Sequence, residues 1–144
     1  MISWLRGLLG VRPAVDAGSR GGPSTFSAGQ VWRYDHRPGE EGSTVEIVRV
    51  EREPKLGTVV HVSVHGLRLR NPMAPGGTSD RIGHMPFAED AFRRSVRDVA
   101  GEREPDAAAQ EGYDAWRAAF ERGDAGIFTV TLAEAVGMME GALQ

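Results

Sequence analysis

Between Val31 and Arg70 apolar and polar residues alternate with a period of two, interrupted twice by clusters of proline, glycine and charge. Alternation at that period is the mark of a half-buried strand. "QVWRYDHR" reads as a first strand, "RPGEEG" (37–42) as a turn, and "STVEIVRVERE" as a second strand. "PKLG" is a second turn and "TVVHVSVHGLRLR" a long third strand, which together make an antiparallel meander. In the third strand Val60, Val62 and Val64 share one face and His61, Ser63 and His65 the other. The parity then flips to Leu67 and Leu69, which a bulge at Gly66 explains, because one extra residue returns the apolar set to the core. His61 and His65 thus point away from the valine face and read as an exposed or loosely packed face, or one lying beneath a helix.

"NPMAPGGTSDRIGHMP", Asn71 to Pro86, is dense in proline and glycine and reads as a long irregular loop. The period then becomes helical. Phe87 or Ala91, Phe92, Ser95 or Val96, and Val99 form one stripe, with Glu89 and Asp90 near the favourable end of the dipole. A second helix has Asp106 as its cap, a stripe of Ala109, Tyr113, Trp116 and Phe120, and Gly123 as its stop. "GIFTV" gives a short strand. Thr131 and Glu134 form a capping box that opens a last helix carrying Leu132, Val136, Met139 and Leu143. These elements predict an α+β domain: a three- to four-stranded antiparallel meander or half-barrel, with about three helices packed on one face. One domain is expected over residues 26–144, preceded by a flexible segment and linker over 1–25. The apolar run in "MISWLRGLLGVRP" is too short to span a bilayer and lacks the form of a signal peptide; contact with a membrane surface or a partner is its functional alternative.

Composition narrows the chemistry. The 144 residues hold no cysteine, which removes disulfides, thiolate metal sites and a cysteine nucleophile, and suits a cytoplasmic protein. Net charge is −3, with 11 basic and 8 acidic residues over 1–84 and 6 and 12 over 85–144, far from the basic stripe of a nucleic-acid binder. Sixteen of the 17 basic residues are arginine, a bias of composition more than of phosphate recognition.

The candidate chemistry is sparse. His61 and His65 stand four apart on a strand, roughly 13 Å at about 3.3 Å per residue, whereas zinc holds nitrogens at about 2.0–2.1 Å. No metal and no cofactor are expected. Asp80 and His84 in "SDRIGHMPF" are the acid/base pair that a hydrolase would use, against the simpler reading of His84 as a loop or cap residue. Phosphate-loop spacing, a GxSxG elbow and a serine with His and carboxylate companions are all missing from the sequence. Trp32 and Tyr34 on one strand face, with Arg33 and Arg37 beside them, are what a weak single-stranded nucleic-acid module would use. Core packing is the commoner role for such aromatics, and the nearby glutamates would repel phosphate.

"GQVWRYDHRPGEEGSTVEIVRVE", "VHGLRLRNP", "IGHMPFAEDAFRRSV", "GYDAWRAAFERGDAGIFT" and "LAEAVGMME" together resemble a family of small uncharacterised bacterial proteins over residues 29–140. The resemblance implies a self-contained bacterial domain and brings no activity, ligand or cofactor. Ala88 stands where such sequences favour a serine-like helix cap, which predicts a less firmly fixed helix start. The reading that follows is a non-enzymatic, cytoplasmic domain whose partner is another protein. Its expected contact surface is His61, Ser63, His65, Arg68 and Arg70 with the Asn71–Pro86 loop. Neither nucleic acid nor membrane is an expected partner.

Overall fold

The computed structural model describes Val11–Arg12 and residues 26–144. The arm and linker expected before Phe26 otherwise lie outside the described residues. The strands are β1 (Val11–Arg12), β2 (Gln30–Tyr34), β3 (Thr44–Glu53), β4 (Gly57–Arg70), β5 (Thr78–Ala88), β6 (Val96–Glu102) and β7 (Ile127–Phe128). The helices are α1 (Glu89–Ser95), α2 (Ala107–Glu121) and α3 (Leu132–Ala142). The strands form one open sheet in the order β1-β7-β5-β4-β3-β2-β6, seven in all and six with the two-residue β1 set aside. β5 and β7 run parallel, so the sheet is mixed. That is larger than the expected three or four antiparallel strands.

The difference has two sources. The irregular stretch expected over 71–86 shrinks to a turn before Thr78, and β5 follows. Pro86 is tolerated there because the outer side of β5 is flanked only by the short β7, paired at Phe87. The helical stripe expected from Phe87 to Val99 also divides. Phe87 lies in β5, α1 stops at Ser95, and Val96–Glu102 pairs with β2 as an edge strand. Ser95 marks the break: its hydroxyl donates to Ala91 O and accepts from Leu132 N–H, which ties the end of α1 to the start of α3. Ala88 caps α1 without a side-chain bond.

The helices lie on both faces, not one. Val45, Ile47, Val60, Val62 and Val64 pack with Phe92 of α1 and Leu132, Val136 and Met139 of α3. On the opposite face Leu56, Val59 and Ile127 pack with Tyr113 and Trp116 of α2 in a separate, smaller cluster. The two caps read from the sequence are formed: Asp106 accepts from Ala109 N–H, and Thr131 and Glu134 close the capping box. Among the described residues no helix is long and apolar enough to cross a membrane.

The parity flip in β4 occurs at Gly66. Its φ is +74°, and an added Cβ would lie 3.0 Å from Ser43 Cα and 3.1 Å from Gly42 O. Glycine is required there on two counts. Leu67 and Leu69 return to the main core. Beyond this point β4 outruns β3, whose last partner is Thr44 opposite His65. Carboxylates take the place of the missing strand: Glu40 Oε2 accepts from Arg68 N–H and Glu140 Oε2 from Arg70 N–H, each at 2.7 Å. The Arg37 guanidinium bonds Glu40 through Nε and Nη2 (3.0 and 2.8 Å) and Glu140 through Nη1 (2.9 Å). Burial pushes the Glu40 carboxyl up, but Arg37 and the Arg68 N–H outweigh it and hold it below its ordinary value.

Candidate functional site

The face of β4 that carries His61, Ser63 and His65 is polar but is not solvent-facing at its centre. His61 and Ser63 are wholly buried. A bulge between Ile47 and Arg49 brings Arg49 opposite His61, and Glu51 lies on the same face. A second bulge, between Val62 and Val64 on one strand and Met85 and Ile82 on the other, leaves Gly83 and His84 to share a place opposite Ser63. α2 closes over this row. Gly112 lies close against β5, since a Cβ built there would stand 2.4 Å from His84 Cβ.

A hydrogen-bonded chain runs beneath α2. Glu51 Oε1 lies 2.8 Å from His61 Nε2, His61 Nδ1 lies 2.9 Å from His84 Nε2, and Tyr113 OH donates to both Glu51 oxygens at 3.1 Å. Burial pushes the imidazole of His61 down despite the attraction of Glu51, and that of His84 well down. The hydrogen bond from His61 outweighs desolvation and holds the Glu51 carboxyl at about 2. These directions fix the tautomers. A carboxylate only accepts, so the proton of neutral His61 sits on Nε2; its bare Nδ1 must then receive the proton of His84 Nε2. His84 is left with a bare Nδ1, which is the ring atom that finds no hydrogen-bond partner among the described residues. The rings of His61 and His84 stack at 5.1 Å, and Trp116 and Tyr113 meet His61 edge-on at 4.8 Å each.

Beside this chain His65 Nε2 lies 3.1 Å from Glu46 Oε1 and 3.3 Å from Ser63 Oγ. In a serine–histidine–acid relay the hydroxyl and the acid bind opposite ring nitrogens. Here they share one, and the buried Ser63 hydroxyl donates to Ile82 O and accepts from Arg81. Arg81 also pairs with Asp106, tying β5 to the cap of α2. Burial lowers the His65 imidazole, against the pull of Glu46. Groups of three or more metal-ligating side chains that could hold an ion do not occur among the described residues.

The structure does not unite Asp80 with His84. Asp80 is exposed on the rim of a shallow depression of about 420 Å³ lined by Ala74, Pro75, Thr78, Ser79 and Arg81, while His84 is 7% exposed beneath α2. The aromatics are packed inward: Tyr34 is buried with its hydroxyl on Ser43 Oγ (2.7 Å), and Trp32 packs on the core, edge-on to Phe26. Arg33 pairs with Asp98 and Arg37 with Glu40 and Glu140. Arg68 and Arg70 are exposed on the outrunning arm of β4. Sequence reading found His61 and His84 but missed their union, together with Glu51 and Tyr113. The available signal was the Tyr113–Trp116 pair, which required a sheet face to bury against.

At the end of that arm the β4–β5 turn is firmly built. Asn71 Oδ1 accepts from Met73 N–H (3.1 Å) and Asn71 O from Ala74 N–H (3.0 Å), an Asx-turn within a β-turn. Asn71 N–H donates to Gly77 O, and Asn71 Nδ2 to Ser79 Oγ (2.8 Å). Met73 stands at the tip, 88% exposed. Comparison with known proteins found no matching family model, no matching curated protein and no matching solved structure.

Proposed function

We propose that the chain is a non-enzymatic, cytoplasmic domain that binds another protein through the tip and outer arm of the β4–β5 hairpin. The observation that carries this reading is Met73: a large apolar side chain held in water by a turn whose own hydrogen bonds are satisfied. An unbranched thioether adapts to irregular apolar sockets. Arg68 and Arg70 on the arm, and Asp80 beside the tip, supply the polar rim. His61 and Ser63 support the surface from beneath α2 and do not touch the partner.

The experiment is affinity capture from the native cells with the whole chain as bait. Met73→Asp should leave the midpoint of unfolding within about 0.5 kcal/mol of the parent, because the site is exposed. It should lower recovery of the captured protein roughly tenfold or more, as loss of a buried Met side chain is worth about 1.5–3 kcal/mol. Arg122→Ala, past the far end of α2, serves as control. Equal recovery with Met73→Asp and with the parent would dispose of the reading.

A further inference from the structure

The Glu51–His61–His84 chain lies at the seat of a helix that has its own small core. α2 is held by Tyr113 and Trp116 in the cluster with Leu56, Val59 and Ile127, by Trp116 Nε1 on Gly126 O (2.8 Å), by Tyr113 on Glu51, and by Arg81 on Asp106. α1 and α3 belong to the other core, on the opposite face. α2 can therefore leave the sheet without dismantling the main core.

His84 is the weak member of that seat. A proton arriving from water meets only one bare ring nitrogen in the chain that is not already hydrogen-bonded, the Nδ1 of His84. Protonation there creates a buried cation with a new N–H and no acceptor. The groups that face it are Glu51 from β3, His61 from β4, and the rings of Tyr113 and Trp116 from α2, while Arg49 from β3 and Arg117 from α2 act on the neighbouring His61. Glu51, the one carboxylate among them, bonds the far side of the His61 ring and cannot bond the new proton. Arg49 and Arg117 oppose a positive charge on His61, to which the proton could otherwise pass. Relief comes from exposing His84 to water, which means moving α2 off it.

We propose that His84 is the trigger of a pH-operated latch: a proton taken up at its Nδ1 unseats α2 from β4 and β5 while the sheet, α1 and α3 stay folded. Opening uncovers Val59, His61 and Ser63. The direction follows from linkage. A histidine held neutral by the closed state binds fewer protons there than when exposed. Closure is therefore unpenalised above the free imidazole value of about 6.5 and weakens as pH falls below it, by up to a factor of about ten per pH unit for one group.

Hydrogen exchange of the whole chain tests this. Corrected for the intrinsic pH dependence, amides of α2 (107–121) should lose about fivefold or more in protection between pH 6.5 and 5.5, with those of α3 (132–142) unchanged. His84→Gln keeps an amide N–H where the ring Nε2–H stood and removes its titration, so its α2 protection should fall clearly less than the parent's, by the share that uncovering His61 alone contributes. Equal loss in α2 and α3, no loss in α2, or the same loss in His84→Gln would each overturn the latch. If His84→Gln does not fold, the ring resonances of the parent decide instead. His84 should take up its proton below the free imidazole value of about 6.5, and a ring that gains its proton while α2 keeps its protection refutes the proposal.

Discussion

Gly112→Ala is expected to destabilise the protein by about 3 kcal/mol, at the upper end of ordinary overpacking. Propensity alone predicts the reverse, because alanine is favoured over glycine inside a helix by about 1 kcal/mol. The added Cβ would stand 2.4 Å from His84 Cβ and 3.6 Å from His84 Cα. Neither atom can swing aside as the end of a flexible side chain can, so α2 must rise from β5. Gly137 in α3 is the matched control, with nothing within 4 Å of its notional Cβ. Gly137→Ala should therefore gain up to about 1 kcal/mol. Urea unfolding of both variants reads the two signs. Stabilisation by Gly112→Ala would mean that α2 does not press on His84.

Arg37→Ala should also cost about 3 kcal/mol, the range for breaking a buried ion pair from one side. Glu40 is 3% exposed, and without the guanidinium its charge keeps only the Arg68 N–H and the repulsion of Glu140. The loss is one of uncompensated charge, so removing that charge should repair part of it. The double variant Arg37→Ala/Glu40→Gln should be more stable than Arg37→Ala, since a glutamine carbonyl can still accept from Arg68. A double variant no better than the single one, by the same unfolding measurement, would place the loss in side-chain packing instead.

The elements most legible in sequence were those fixed by local chemistry. Gly66 announced its bulge because the valines before it and the leucines after it had to reach one core, and Thr131 with Glu134 announced a helix start by mutual satisfaction of backbone donors. β5 and β6 escaped for a different reason. "TSDRIGHMPFA" carries a glycine and a proline, and its strand form comes from fourteen-residue β4 alongside it. "VRDVAGE" continues a helical spacing and becomes a strand only because β2 offers an edge. In the candidate site alternation correctly separated His61 from the valines. What alternation cannot show is that the face so defined lies under Tyr113 and Trp116, fifty residues away along the chain. Fold class was thus readable, while the identity of the buried network depended on which face α2 chose.

Glu51, His61 and His84 form one sealed chain with its protons in fixed places. The ring ¹⁵N spectrum of the histidines at pH 7.5 tests it directly. His61 and His84 should each carry the proton on Nε2 and show a bare Nδ1, with ring protons that exchange far more slowly than those of the exposed His36. A spectrum in which either ring is protonated on both nitrogens, or exchanges as freely as His36, would contradict the account.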